Sequence, residues 1–99
     1  MAYRKNITPA QATHPGILIR DEIAANSNLN QRKLAEKMGV QPSFLNEIIK
    51  EKRPVTADTA ILLENVLGIS AEYWMNFQSQ YELDKARSKR KESKEVELR

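Results

Sequence analysis

Four polar side chains between Gln41 and Lys50 are spaced so that one helix can hold them out toward a nucleic acid. They are Gln41, Ser43, Asn46 and Lys50. Each carries an amide, hydroxyl or ammonium group that can hydrogen-bond a base edge or a phosphate. Residues suited to other chemistry are scarce, because the chain has a single histidine, His14, and no cysteine. With no Gly-rich phosphate loop either, it offers no nucleophile–base pair, so we expect no catalytic residue, no metal and no cofactor.

Two short helices joined by a tight turn, within residues 30–53, are the elements that position these side chains. Residues 31–38 contain no Pro, no Gly and no β-branched residue, which favours a helix. Asn30 is a good N-cap for it. Gly39 follows and can adopt the left-handed conformation that often ends a helix. Pro42 suits the first turn of the second helix, where its missing N–H has no partner to lose.

The apolar residues of both helices recur at the spacing of one buried face. They are Leu34 and Met38 on the first helix, and Leu45, Ile48 and Ile49 on the second. Ala35 is small enough to let the second helix cross closely. Together with Gly39 at the turn, this spacing predicts a helix-turn-helix. The alternative is an ordinary pair of antiparallel helices in a small bundle.

Three further helices are expected around this pair. His14 and Pro15 mark the start of the first, with a capping or packing role for His14. Its apolar side is predicted to comprise Ile17, Leu18 and Ile23, and it frays at Asn26–Asn28. Thr56 caps the fourth helix, Ala60, Leu63 and Leu67 line one side with Ile61 beside them, and Gly68 ends it.

The fifth helix is predicted to start after Ser70 and to carry an aromatic stripe. Its members are Tyr73, Trp74, Phe77 and Tyr81. Such a stripe at helical spacing is more often core than ligand site. We also name these four residues and Leu62 as candidates for a dimer surface, since dimer interfaces favour large apolar side chains.

Length and composition place the chain among small, single-domain, intracellular proteins. Its 99 residues allow one domain with a modest, mainly aliphatic core. The lack of cysteine excludes disulfides and fits a reducing compartment, so we expect a cytoplasmic protein. No run approaches the roughly twenty apolar residues of a membrane span, and the N-terminus has no signal-like apolar stretch.

The net charge of +3 is unevenly distributed. Residues 30–53 have six basic against three acidic side chains, whereas residues 54–83 have four acidic and no Lys or Arg. Residues 84–99 have seven basic against four acidic. A basic patch that coincides with the two motif helices is what phosphate binding requires. The loop residues Lys50, Lys52 and Arg53 are either a solvated turn or further phosphate contacts.

We divide the chain into three parts. Residues 1–13 are expected to form a flexible arm, residues 14–83 the helical domain, and residues 84–99 a charged tail. The tail contains good helix formers and can continue the fifth helix. It is a solvated tail, a segment that orders on a partner, or an extra DNA-binding arm.

Several segments resemble the HigA-type, or VapI-like, antitoxins within the lambda-repressor-like XRE family of helix-turn-helix regulators. The resemblance covers residues 14–83. It rests on HPG at the start, NQRKLAEKMGV in the motif, TADTAILLENVLG in the fourth helix and SAEYWMNFQSQYEL in the fifth. The fifth-helix segment is the most specific, since other repressor domains lack its Trp-bearing pattern.

This resemblance implies an all-α, five-helix domain that forms a homodimer and binds double-stranded DNA at its own palindromic operator. It also implies a partner similar to HigB, a RelE-like toxin that cuts mRNA, which the antitoxin would neutralise. Carried onto this chain, the DNA-contacting positions would be Gln31, Gln41, Ser43, Phe44, Asn46 and Glu47, with Lys50, Lys52 and Arg53 at phosphates. Phe44 cannot donate a hydrogen bond, so it would touch a thymine methyl or a sugar.

Other functions remain open at this point. A stand-alone XRE-type transcriptional regulator without a toxin would share almost every feature. A protein-interaction module that has lost DNA binding is favoured by the acidic Glu47 on the DNA-facing side and by the acidic residues 54–83. An enzyme is the least supported of the alternatives.

Overall fold

Five α-helices follow one another along the chain. The computed structural model describes the backbone of residues 13–97 and the side chains of residues 13–90. The helices are α1 (Pro15–Ala25), α2 (Gln31–Met38), α3 (Pro42–Ile49), α4 (Ala57–Leu67) and α5 (Ala71–Glu97). No strand occurs among the described residues, and the predicted five-helix, all-α fold is confirmed. The predicted N-terminal arm, apart from residue 13, lies outside the described residues.

The helix ends fall where the capping residues predict. The Asn30 side chain accepts a hydrogen bond from the Lys33 N–H at 2.8 Å, and the Thr56 hydroxyl accepts one from the Thr59 N–H at 3.4 Å. Gly39 closes α2 in the left-handed conformation, with φ of 76°. Each of these local bonds satisfies a backbone group that the helix itself leaves unpaired.

The core forms where the inward faces of all five helices meet. Its buried apolar residues are Ile19, Leu34, Ala35, Met38, Leu45, Ile48, Ile49, Val55, Ala60, Leu63 and Trp74. The apolar faces predicted for α2 and α3 are therefore confirmed. A core of this kind stabilises the fold by about 25 cal/mol for each Å² of apolar surface removed from water.

Two predictions about the apolar faces hold only in part. In α1 the fully buried aliphatic side chain is that of Ile19, which the prediction left out. Leu18 and Ile23 pack only partly against the core, and Ile17 is half-buried. In α4 the Ile61 side chain is half exposed, although it was placed beside the buried face. In both helices a run of adjacent apolar residues covers more than one side, so spacing alone does not show which side is inward.

The aromatic residues of α5 occupy different environments instead of one buried stripe. Trp74 is fully buried, and its indole N–H donates to the Ile69 carbonyl at 3.2 Å. This burial contradicts its candidacy for a dimer surface. Tyr73 is 39% exposed, and Phe77 and Tyr81 are half-buried.

Helices α1 and α3 approach so closely that one residue must lack a side chain. A Cβ atom on Gly16 would overlap the carbonyl oxygen of Ile48. Gly16 therefore lets the start of α1 lie directly on the end of α3, which fixes where α3 stands in the domain.

The last helix is much longer than the others. It continues without interruption past residue 84, where a tail was predicted to start, and its 27 residues correspond to a rod of roughly 40 Å. None of the described helices is both long enough and apolar enough to cross a membrane.

Candidate nucleic-acid interface

Helix α3 has one face in the core and the other in solvent. Leu45, Ile48 and Ile49 are buried, and they fix the rotation of the helix about its axis. The opposite side carries exposed Gln41, Ser43 and Lys50 and half-buried Asn46 and Glu47. The structure thus brings the predicted polar residues together on one outward surface, hereafter the α3 face.

An amide pair connects the two motif helices at this surface. The Gln31 side-chain amide at the start of α2 donates a hydrogen bond to the Asn46 Oδ1 atom at 3.0 Å. This bond holds the Asn46 carboxamide in one orientation. Its NH₂ group keeps its donors for another acceptor, because the amide oxygen takes the bond from Gln31.

Three side chains form a cluster at the other edge of the α3 face, hereafter the Arg53 cluster. The Arg53 guanidinium donates to Glu47 Oε1 through Nε at 2.9 Å and through Nη2 at 2.7 Å. The same guanidinium lies 4.8 Å from the centre of the Phe44 ring. Arg53 therefore neutralises the acidic residue of α3 and lies against its aromatic residue.

The turn after α3 presents two lysines to solvent. Lys50 and Lys52 are exposed, and neither is in an ion pair among the described side chains. Between them Glu51 adopts a left-handed backbone with φ of 65°, and the Lys52 N–H bonds back to the Glu47 carbonyl at 2.8 Å. A left-handed residue at the end of a helix is usually glycine. Here it is Glu51, whose Cβ atom makes this conformation sterically strained.

A groove of about 250 Å³ separates this turn from α5, and His14 forms part of its wall. The His14 Nδ1 atom accepts a hydrogen bond from the Gly16 N–H at 2.9 Å, and the Tyr81 ring packs edge-on against the imidazole at 4.8 Å. Burial lowers the pKa of His14, while the nearby Glu51 carboxylate opposes that shift. The predicted capping and packing role of His14 is confirmed.

The same groove brings the start of the predicted tail near the basic turn. Lys85 lines it together with Lys52 and Arg53, and its ammonium lies 5.6 Å from the centre of the Tyr81 ring. Within the described side chains, no group of three His, Asp or Glu residues is arranged to hold a metal ion.

Sequence reasoning named all members of the Arg53 cluster but missed the way they combine. Arg53 was assigned to phosphates and Glu47 to DNA, yet the two side chains bond to each other. The signal available was weak, because an acidic residue on α3 and a basic residue six positions later become neighbours only after the chain turns back.

Comparisons with known proteins agree with this arrangement of helices. Residues 19–74 match the helix-turn-helix family model HTH_3. The chain is 42% identical over 82 residues to virulence-associated protein I of Dichelobacter nodosus, covering 83% of this chain and 74% of that protein.

Two solved structures are similar over nearly their whole length. A Nostoc punctiforme protein described as an antidote of a plasmid maintenance system has a TM-score of 0.83 at 32% identity, covering 88% of this chain and 94% of that one. The Pseudomonas aeruginosa antitoxin HigA, solved with the higBA promoter, has a TM-score of 0.77 at 34% identity, with coverages of 90% and 97%. Both are similar to this chain in fold and in sequence.

Proposed function

The chain belongs to the HTH_3 helix-turn-helix family, and from this premise we propose that it is a sequence-specific DNA-binding antitoxin that represses its own operon. The observation that carries the proposal is the α3 face, where a hydrogen-bonded Gln31–Asn46 pair stands beside exposed Gln41 and Ser43. The likeness to an antitoxin solved with its promoter supports the same function.

In this proposal α3 enters the major groove and its outward amides contact base edges. Asn46 is held by Gln31, so its NH₂ group is directed before DNA arrives and less rotational freedom is lost on binding. Gln41 caps α3 without a side-chain bond to the helix, which leaves its amide available. An amide is the group that recognises adenine with two hydrogen bonds.

The basic turn supplies contacts to the DNA backbone. Exposed Lys50 and Lys52 flank the end of α3, where they can neutralise phosphates and release counterions. Arg53 can contact a phosphate only through the N–H groups that do not already donate to Glu47. We expect this site to operate in the cytoplasm, where the operon is transcribed.

A homodimer would place two such faces on one operator. Two α3 helices about one helical turn apart, roughly 34 Å, would match a palindromic site. The apolar side chains that remain accessible on α4 and α5 support a dimer surface formed by Leu62, Tyr73, Phe77 and Tyr81. Tyr73 and Phe77 already touch each other, with ring centres 5.0 Å apart.

The DNA-binding part of the proposal is tested with duplex DNA from immediately upstream of the gene, in a gel-shift series at several salt concentrations. We expect Asn46→Ala to weaken binding by about 1–3 kcal/mol, or roughly five- to 150-fold. Asn65→Ala, an exposed asparagine of α4, is the matched control and should bind like the unaltered protein. Equal binding by both variants would remove Asn46 from the contact set, and equal binding to random DNA would refute operator recognition.

The toxin-neutralising part is supported by the antidote and antitoxin relatives, and it specifies a HigB-like or RelE-like partner that cleaves mRNA. The test is to express the adjacent gene product alone and together with this chain, and to measure mRNA cleavage and co-purification. Cleavage that this chain abolishes by forming a complex supports the antitoxin function. DNA binding without any such partner would instead establish a stand-alone transcriptional regulator.

A further inference from the structure

The α3 face contains one group whose charge opposes DNA binding. Glu47 is a carboxylate on the side of α3 that faces the polyanion in the proposed function, and 46% of its side chain is exposed. Without compensation, its charge would repel every phosphate near the groove. The Arg53 cluster provides that compensation, because the guanidinium is bonded directly to the carboxylate.

Arg53 bonds to only one of the two carboxylate oxygens of Glu47. An arginine usually pairs with a carboxylate through two parallel bonds to its two oxygens. Here the Nε–H and one Nη2–H of Arg53 both donate to Oε1 of Glu47. Among the side chains that the structure describes, none donates a hydrogen bond to Oε2, so this oxygen keeps its full capacity to accept.

The free oxygen is also held in place. The Arg53 guanidinium lies 4.8 Å from the centre of the Phe44 ring, and Arg53 directly follows the turn that the Lys52 N–H closes. Both contacts favour the position in which Arg53 bonds to Glu47. Its two bonds in turn restrict the rotation of the Glu47 carboxylate. The result is a neutralised, oriented acceptor on the outward side of α3.

We infer that Glu47 determines specificity by accepting a hydrogen bond through Oε2 from the N4 amino group of a cytosine in the major groove. Cytosine is the base whose only major-groove hydrogen-bonding group is a donor, and a carboxylate is the side chain that complements it. Arg53 acts as a positioning residue that makes this contact compatible with the nearby phosphates. The inference rests on the proposed function, because it requires α3 to lie in the groove.

A simpler role for Glu47 would be to hold the turn by anchoring Arg53. In that case the loss of the carboxylate would weaken binding to all DNA sequences equally. A change in the preferred base at one position would not follow. The two roles therefore differ in a measurable property, which is the base preference of the protein and not its overall affinity.

The experiment is a binding selection from a pool of duplexes with about 20 random base pairs, roughly two helical turns. The full chain, Glu47→Gln and Glu47→Ala are compared. Glu36→Gln is the matched control, since Glu36 is an exposed helical glutamate paired with Arg32 outside α3. Circular dichroism confirms that each variant is folded, which is expected because Glu47 lies at the surface.

We expect the unaltered chain and Glu36→Gln to select the same motif, with a C·G pair at one position of each half-site. Glu47→Gln should select A·T at that position, because an amide pairs with adenine, and Glu47→Ala should lose the preference. Replacing this C·G pair by T·A should weaken the unaltered protein by about five- to 150-fold and Glu47→Ala by less than twofold.

An identical motif for all four proteins would overturn the inference and leave DNA recognition intact. A motif whose C·G position is unaffected by Glu47→Gln would do the same. Failure of the unaltered chain to enrich any motif would instead refute the proposed function itself.

Discussion

His14 caps α1 only while its Nδ1 atom carries no proton. That atom accepts the Gly16 N–H, and Tyr81 closes over the ring. Burial lowers the pKa of His14 and the Lys85 ammonium lowers it further, whereas the Glu51 carboxylate and the Arg53 backbone raise it. The folded state therefore binds this proton less readily than the unfolded state, whose histidine titrates near pH 6.5.

We expect the free energy of unfolding to fall as the pH drops below about 6.5, and to stop falling below the folded-state pKa of His14. Between these limits the unfolded chain holds more protons, so stability rises with pH. His14→Asn keeps a capping side chain without a titrating group and should remove this part of the slope. Urea unfolding at several pH values measures it, and parallel curves for both proteins would contradict the assignment.

Trp74 offers a second test at the level of a single residue. Trp74→Phe removes buried volume and the N–H that bonds to the Ile69 carbonyl, so we expect a loss of about 1–3 kcal/mol in stability. Tyr73→Phe, at the exposed neighbour, should change stability by less than about 0.5 kcal/mol. Thermal unfolding at two protein concentrations separates the effects, since a core defect persists at both. Equal effects of the two substitutions would argue against a core role.

For single residues, the sequence predicted the interactions between positions that are close along the chain. Asn30 and Gly39 could be assigned from residue type, because a cap involves atoms only a few positions apart. The Glu47–Arg53 bond could not, since it depends on the path of the intervening turn. The left-handed backbone of Glu51 could not be predicted either, because this conformation is usually adopted by glycine.

Among the elements, the contact between α1 and α3 decides where the α3 face stands. We expect Gly16→Ala to destabilise the fold by about 1–3 kcal/mol, because a methyl group there would overlap the Ile48 carbonyl and push the helices apart. Chemical denaturation measures this loss, and the gel shift should show weaker operator binding as α3 moves.

Gly39→Ala is the control for this substitution. Open space surrounds the position where its Cβ would lie, so only the strain of the left-handed backbone is added, about 1 kcal/mol. A smaller effect at residue 16 than at residue 39 would show that α1 can shift without penalty.

The spacing of apolar residues and the capping residues predicted that five helices exist and in which order they follow. They predicted only in part which side of each helix faces the core. For α2 and α3, apolar residues recur three and four positions apart with polar residues between the groups, which indicates one buried side. In α1 the apolar residues Ile17, Leu18 and Ile19 are consecutive and cover more than half of the helix circumference, so spacing does not single out Ile19 as the buried one. The same ambiguity applies to α4, where Ile61 adjoins the buried Ala60 but is half exposed.

For the whole molecule, the proposed dimer surface depends on aromatic side chains of α5 that stay partly accessible in a single copy, Tyr73 among them. We expect Tyr73→Glu to shift the proposed dimer toward monomer, because it places a charge on an apolar interface. Sedimentation measures the change, and operator affinity should fall with it. Ser79→Glu, at an exposed site of α5, is the control and should leave the dimer intact. A dimer that survives Tyr73→Glu would exclude this surface.

The packing of His14 against Tyr81 also bears on the order of folding. Helices that are neighbours in the sequence, such as α2 with α3 and α4 with α5, pack together, and these local contacts favour rapid folding. The contact between these rings spans most of the described chain, and its loop closure is the entropically most expensive step. In stopped-flow experiments Tyr81→Leu should therefore accelerate unfolding and leave the refolding rate nearly unchanged, a φ-value close to zero.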